Sequence, residues 1–284
     1  MIADENDFQI TGAAVAMRPL AEFSFADRRR IRFVLADIDD TLTTDGVLTA
    51  QAYGALERLQ RAGLRVVPVT GRPAGWCDHI ARMWPVDAVV GENGAFYFRY
   101  ERSSGKMLRG FVHGDAERAA NRLRMLAVRD RILAEVPGCA VSADQDYRQA
   151  DLAIDFCEDV DALPWSSVER IVGMMEDAGM TAKASSIHVN GWFGSYDKLS
   201  TTAWLFREEF GEDLDQAKPH VVFVGDSPND APMFGFFPNS VGVANVRRFS
   251  STLAACPAYV TDSPCGAGFA ELAEVLLSVN GRSK

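Results

Sequence analysis

The sequence predicts an α/β protein, a doubly wound Rossmann-like parallel sheet carrying an inserted α+β cap. Three observations predict it. Apolar runs at 31–36, 64–69 and 86–90 each end abruptly in polar or acidic residues, as buried parallel strands do. Strand, helix and strand alternate through this first stretch, and functional groups in such sheets collect at the carboxyl ends of the strands. After about residue 97 the rhythm changes to helix-strand-strand, occurs twice, and returns to the first pattern near residue 198.

In chain order, Ile31-Arg32-Phe33-Val34-Leu35-Ala36 is the first buried strand. Ala52, Leu56 and Leu59 follow at helical spacing over 50–62, and Gly63 stops that helix. The second strand, 64–69, runs into Thr70-Gly71-Arg72-Pro73, and the third, 86–90, ends at Gly91-Glu92-Asn93-Gly94. In the insert, 116–135 is a helix (Leu123, Leu126, Ile132, Leu133), followed by strands at 139–142 and 151–156. The latter alternates apolar and polar residues, which predicts a half-exposed antiparallel sheet. A helix at 165–178 and strands at 181–185 and 187–192 complete the second repeat. The core resumes with a helix at 198–210 and a strand at 220–224 that ends in Gly225-Asp226-Ser227-Pro228-Asn229-Asp230. Short strands at 240–244 and 258–260 and a helix at 268–278 close the chain. The expected division is an N-terminal extension over 1–30, a core of 31–96 and 193–284, and a cap of 97–192. The extension is expected to be ordered in part through Phe23 and Phe25.

Composition narrows the partners. The 284 residues are 48% hydrophobic and 24% charged, the balance of an ordinary globular protein with ample core material. A formal net charge of −10 argues against nucleic acid, which needs a basic face. It is compatible with a small phosphorylated molecule, whose charge a cation and a few basic residues can meet locally. Five dispersed cysteines without a CxxC pair suit reduced thiols, so the cytoplasm is the expected location. No apolar run reaches the roughly 20 residues needed to span a bilayer, and no membrane partner is expected. Arg28-Arg29-Arg30 follow the acidic residues of the first 30 positions, the reverse of a secretory signal. Nothing in the pattern speaks to oligomeric state.

The chemistry begins at Asp37-Ile38-Asp39-Asp40-Thr41, directly after the first strand. Alternation in an extended segment aims Asp37 and Asp39 the same way, and two such carboxylates repel unless one keeps its proton or a cation intervenes. Magnesium, which prefers oxygen ligands, suits that need. Taken alone, the segment also reads as a strand end with helix-capping residues. Thr70, after the second strand, offers a hydroxyl and neighbouring N–H groups to a phosphoryl oxygen. Asp226 and Asp230 add cation ligands after another apolar strand, and Lys198 opens a helix just before it. Each of these is ordinary singly. Their order along one α/β pattern is not.

Asp37-x-Asp39-x-Thr41, Thr70-Gly71-Arg72, Lys198 and Gly225-Asp226-x-x-Asn229-Asp230 together resemble the four motifs of the haloacid dehalogenase (HAD) superfamily. The αββ-αββ insert resembles its type C2B cap, found in the Cof-like, sucrose-phosphate phosphatase-like and phosphomannomutase-like branch. Asn93-Gly94-Ala95 and Gly242-Val243-Ala244-Asn245 resemble the same branch, and the likeness covers residues 31–278. Leu199 is a departure, standing where many relatives have glycine.

The resemblance implies a magnesium-dependent phosphatase acting on a small phosphate ester. Asp37 would be the nucleophile that forms an aspartyl-phosphate, and Asp39 the acid and base. Thr70, Gly71, Lys198 and Asn229 would hold the phosphoryl group. Magnesium would sit on Asp37, the backbone carbonyl of Asp39, Asp226 and Asp230. A phosphomutase of the same superfamily is the rival reading. A phospho-receiver module is disfavoured by the cap and by Asp39, and a non-catalytic scaffold by the complete set of chemical positions. In the cap, His188, Asn190 and Trp192 are candidates to face the cleft, against the alternative that they are outward residues of a solvated strand. Arg109 and Arg148 are candidates to read an acidic group. A sugar phosphate is the first expected substrate, then phosphoglycolate or a glyceric-acid-linked phosphate.

Overall fold

The computed structural model describes residues 17–279 apart from residue 186. A six-stranded parallel sheet forms its centre, in the order Arg18–Pro19, Tyr259–Val260, Ser240–Gly242, Val221–Gly225, Phe33–Ala36, Arg65–Pro68. Alternation along the strands, with both faces covered, explains why the central ones, Phe33–Ala36 and Val221–Gly225, carry no polar side chain. Val34, Ala36, Val222 and Val224 pack with Leu56, Leu59, Leu272 and Leu276, which lie on the helices Ala50–Arg61 and Cys265–Leu277. Phe33, Leu35, Val221 and Phe223 pack on the opposite face with Leu205, Phe206 and Phe234. Burying both faces is what drives the doubly wound arrangement.

The first residues correct one expectation. Residues 17–30, assigned to an extension, include Arg18–Pro19, which extends the sheet by pairing with Tyr259–Val260. Phe23 is buried and its ring stacks on Tyr259 at 4.9 Å. Phe25 is 50% exposed and anchors nothing, because it starts the helix Phe25–Arg30 on the solvent side. Residues 1–16 of the expected extension lie outside the described residues. Phe23→Ala is therefore expected to destabilise the protein by about 3–5 kcal/mol, the usual range for emptying a buried aromatic site. Urea unfolding would read this directly, and a shift below about 1 kcal/mol would make the segment an appendage.

The cap has its own core, in which Ile132, Ile154, Ile171, Met175 and Val189 meet. Helices Asp115–Glu135 and Trp165–Asp177 cover a four-stranded antiparallel sheet ordered Thr181–Ala184, His188–Trp192, Asp151–Asp155, Ala140–Val141. The strand Asp151–Asp155 is buried throughout, not half-exposed as its alternation predicted. Its polar side chains find partners instead of water: Asn190 and Arg148 meet Asp151, and the N–H groups of Cys157, Glu158 and Asp159 donate to Asp155.

Residues 97–111, counted with the cap in the sequence reading, form most of a hairpin (Phe96–Glu101, Lys106–Phe111) on the strand Val89–Gly91. That strand reaches the core sheet through a parallel bridge between Val69 and Val90, and Phe96 and Phe98 belong to the core cluster. On this packing we place the start of the cap at the helix Asp115–Glu135.

Candidate active site

The strand ends converge as the apolar runs predicted. The Asp37 N–H donates to the Val224 carbonyl at 2.9 Å, which carries the ladder past the end of its strand and seats the carboxylate. On the neighbouring strand, Gly225 is required locally: a Cβ there would collide with the Asp230 carboxylate, which folds back under the turn. Asp230 Oδ2 then accepts from the Asp226 N–H at 3.1 Å. Lys198 enters from the first turn of the helix Lys198–Leu205, whose N-terminus is capped by Asp197, accepting from the Ser200 N–H at 2.7 Å. The turn at Gly94 (φ 107°) lies against the backbone of Asp197, where any side chain would clash. Buried Lys198 Nζ donates to Asp37 Oδ1 at 2.7 Å and to Asp230 Oδ1 at 2.8 Å.

Three buried carboxylates, on Asp37, Asp226 and Asp230, each present an oxygen within 4.8 Å of the others. Burial pushes Asp37 up to about 7 against the pull of Lys198, with Asp230 and Asp39 adding to the rise. Burial, and then Asp230 and Asp37, also raise Asp226 well above the carboxylate range. Burial alone would lower Lys198, but Asp230 and Asp37 outweigh it and hold the ammonium above its usual range. One oxygen of Asp226, Oδ1, is buried without a hydrogen-bond partner, while Oδ2 accepts from Asn245 Nδ2 at 3.0 Å. A buried, unpartnered carboxylate oxygen beside two further carboxylates fits a hard divalent cation, which would supply the missing charge.

Asp39 points elsewhere. Its carboxylate receives Arg72 in a two-pronged pair, from Nε at 2.9 Å and from Nη2 at 2.8 Å, so among the described residues the candidate metal cluster takes its side chains from Asp37, Asp226 and Asp230 and not from Asp39. Arg72 also donates to Glu158 of the cap at 2.9 Å, lies 3.5 Å from Asp144, and rests on the Trp76 ring at 4.4 Å. Thr70 is fully buried and its hydroxyl accepts from the Arg72 N–H at 3.0 Å, which leaves the hydroxyl proton free to donate. Gly71 lines the cleft beside Asp37 and Asp39. Asn229 lines it too, but its amide oxygen accepts from the Ser227 hydroxyl at 2.7 Å, not from the Lys198 ammonium.

The cap candidates separate. His188 and Asn190 are buried and line the cleft, which overturns the solvated-strand alternative because this face of the sheet closes on the core. His188 Nε2 lies 2.8 Å from Glu158, and Asn190 donates to Asp151 at 2.9 Å. The His188 ring and then Arg72 draw Glu158 down to about 2. Trp192 does not face the cleft. It packs in the core cluster and donates to the Tyr196 carbonyl at 3.2 Å. Arg109 lies outside it as well, half-exposed on the hairpin and paired with Asp78 at 2.7 Å. Arg148 lines the cleft, but its donors are taken by Asp144, Asp151 and the Gly71 carbonyl, so it ties cap to core.

Sequence reasoning passed over Arg72 as a functional group, although it stood inside a quoted motif. It also missed Glu158, Asp144 and Glu92, which carry no local pattern. Glu92 accepts N–H groups from Ala74 in the core and from Gln149 and Ala150 in the cap, at 2.7–2.9 Å for the shortest of each. Burial and then the nearby Asp151 push it up to about 8.

Against known proteins, the family profile of haloacid dehalogenase-like hydrolases matches residues 34–110. A phosphoglycolate phosphatase of Pyrobaculum islandicum is 26% identical over 257 residues, covering 88% of this chain and 97% of the relative. Two solved structures share the fold. The C-terminal domain of C. albicans trehalose-6-phosphate phosphatase superposes with a TM-score of 0.69 at 12% identity, covering 93% of this chain and 99% of that one. The sucrose-phosphatase of Synechocystis sp. PCC6803, in complex with sucrose and phosphate, superposes with a TM-score of 0.60 at 15% identity, covering 86% and 97%.

Proposed function

We propose that the chain, whose residues 34–110 match the profile of haloacid dehalogenase-like hydrolases, is a magnesium-dependent phosphatase of small phosphorylated metabolites that works through an aspartyl-phosphate. The observation that carries this reading is the trio Asp37, Asp226 and Asp230, with the Lys198 ammonium bridging two of its members. In this reading the Asp37 carboxylate attacks phosphorus in line and the ester oxygen leaves, dividing one hard hydrolysis into two steps. Asp39 gives a proton to the departing oxygen and then takes one from the water that cleaves the acyl-phosphate. For this Asp39 must part from Arg72, and Glu158 and Asp144 are placed to keep the guanidinium when it does. Thr70, the Gly71 backbone, Lys198 and Asn229 hold the phosphoryl oxygens. Asp37, Asp226 and Asp230 would hold magnesium, together with the backbone carbonyl of Asp39. When bound, the cation supplies the positive charge that lets one anion approach another.

His188 and Asn190 are the cap residues proposed to meet the leaving group. The curated relative and the sucrose-phosphatase make phosphoglycolate and sugar phosphates the first esters to test, with sugar phosphates favoured. No helix among the described residues is long and apolar enough to cross a membrane. All five cysteines are free thiols, which supports a cytoplasmic location.

The test is release of inorganic phosphate from a panel of such esters. Turnover is expected with magnesium, with loss of at least about 100-fold in excess chelator and recovery when magnesium is restored. Undiminished turnover in chelator would remove the metal from the reaction. Transfer of the phosphoryl group within a sugar, without free phosphate, would make the protein a mutase.

A further inference from the structure

Thr70, Gly71 and Arg72 form the turn that, in the phosphatase reading, cradles the phosphoryl group. Each of their three carbonyls is held. The Asn93 N–H donates to the Thr70 carbonyl at 3.0 Å and the Glu92 N–H to the Arg72 carbonyl at 3.1 Å, so the core backbone fixes the outer two. The middle one is held from the cap, by Arg148 Nη1, which donates to the Gly71 carbonyl at 2.9 Å.

The Gly71–Arg72 peptide is planar, so fixing its carbonyl also aims the N–H at its other end. That N–H, on Arg72, donates to the Thr70 hydroxyl at 3.0 Å, and the hydroxyl proton is left for a phosphoryl oxygen. One rigid peptide therefore connects a cap side chain to a group that meets phosphate.

The surroundings of Arg148 suit this task and not the reading of a substrate acid. Its side chain is only 1% exposed. Nε and Nη2 donate to Asp144 at 2.8 and 3.0 Å, and Nη1 meets both Asp151 oxygens at 3.1 Å. Two carboxylates thus already answer its single charge. Glu92 seats the segment that follows, its carboxylate accepting from the Gln149 and Ala150 N–H groups at 2.9 and 2.7 Å. Glu92 and Asn93 stand consecutively in the left-handed region (φ 44° and 53°), a conformation that non-glycine residues keep only where their surroundings impose it. Glu92 grips the turn with its backbone N–H and the cap with its carboxylate.

We propose that Arg148 is a positioning residue for the chemical step, acting through the Gly71–Arg72 peptide to hold the Thr70 hydroxyl toward the phosphoryl group, whatever the leaving group. The proposal rests on the phosphatase reading for the place of the phosphate. It makes a cap residue part of the phosphate cradle.

The experiment uses the full chain with magnesium, acetyl phosphate and glucose 6-phosphate as esters, and inorganic phosphate as product inhibitor. Arg148→Lys keeps a charge between Asp144 and Asp151 but lacks the fork that reaches both carboxylates and the Gly71 carbonyl at once. It is expected to lower kcat by about 10–100-fold on both esters alike, because a misplaced cradle acts on every ester. Inhibition by inorganic phosphate should weaken by about tenfold, since the same hydroxyl meets the product. Glu92→Gln, which turns an amide NH₂ toward N–H donors, should give the same pattern more weakly, and it replaces Arg148→Lys as the test if that variant does not fold. Losses on glucose 6-phosphate alone would make Arg148 a reader of the leaving group. Lower turnover with phosphate inhibition unchanged would make it a structural tie, and unchanged constants would make it neither; each of the three overturns the proposal and leaves hydrolysis standing. If no ester releases phosphate from the unchanged protein, the phosphatase reading falls and calorimetric binding of inorganic phosphate decides the rest. Binding weakened by Arg148→Lys keeps the cradle, and binding that is absent or indifferent to the substitution overturns both.

Discussion

Asp37→Asn is expected to lower kcat by at least about 10⁴-fold on every ester while the protein stays folded, because an amide cannot form the acyl-phosphate and rate accelerations of about 10⁶ or more depend on such steps. The substitution is nearly isosteric. Lys198 keeps Asp230 as a partner at 2.8 Å, so no buried charge is orphaned. The raised pKa of Asp37 means that its surroundings disfavour the charged form. Without metal, the neutral amide should therefore leave the thermal midpoint unchanged or higher. Single-turnover and steady-state phosphate release, paired with a melting curve, check both halves. Residual activity above about 1% would take the nucleophile's role from Asp37.

Lys198→Met carries the second large effect, and it should appear in stability as well as rate. The ammonium is the only cation that touches both Asp37 and Asp230 among the described residues, and it is as buried as they are. Its removal leaves two carboxylates facing each other without a counter-charge. Breaking a buried pair in this way typically costs about 3–5 kcal/mol. In the proposed mechanism the phosphoryl group loses a charged donor as well, which is commonly worth about 10²–10³ in kcat. Magnesium should restore part of the stability, because it binds the folded protein and supplies charge at the same carboxylates. Lys198→Arg should not rescue turnover, since a planar guanidinium cannot occupy the position of a compact ammonium. Chemical denaturation with and without magnesium, beside kcat, provides the check. A loss below about tenfold in kcat with unchanged stability would make Lys198 a bystander.

Much of the site was legible because its residues obey local rules. Asp37 and Asp226 follow runs that are largely apolar, and such runs are read as strands buried on both faces. Gly225 could be read as a turn residue. Only the structure gives the stronger reason, which is that a Cβ would strike Asp230. The cap residues were harder. An alternating strand looks the same whether its polar face meets water or another domain, so Asp151–Asp155 was read as half-exposed. Trp192 shares a face with His188 and Asn190, but at its end of the strand that face meets the core cluster instead of the cleft. Arg109 lies on a hairpin packed with the core. Alternation shows which residues share a face, not how far the cleft runs along it.

The residues Arg72, Glu158, Asp144 and Glu92 mark the limit of local reading. The Arg72 to Glu158 ion pair joins positions 86 residues apart, and Glu92 reaches Ala150 across 58. No periodicity or turn chemistry encodes such separations. Side-chain pattern and backbone preference determined from sequence alone that this chain would form a doubly wound sheet, where its strands would end, and that acidic groups would gather there. Which charges would meet across the two domains was decided by the tertiary structure. Packing the cap on the core buries Arg72 and Arg148 while Asp39 and Glu158 stay partly open at the seam, and each buried charge must then find its partner in whatever the opposite surface presents.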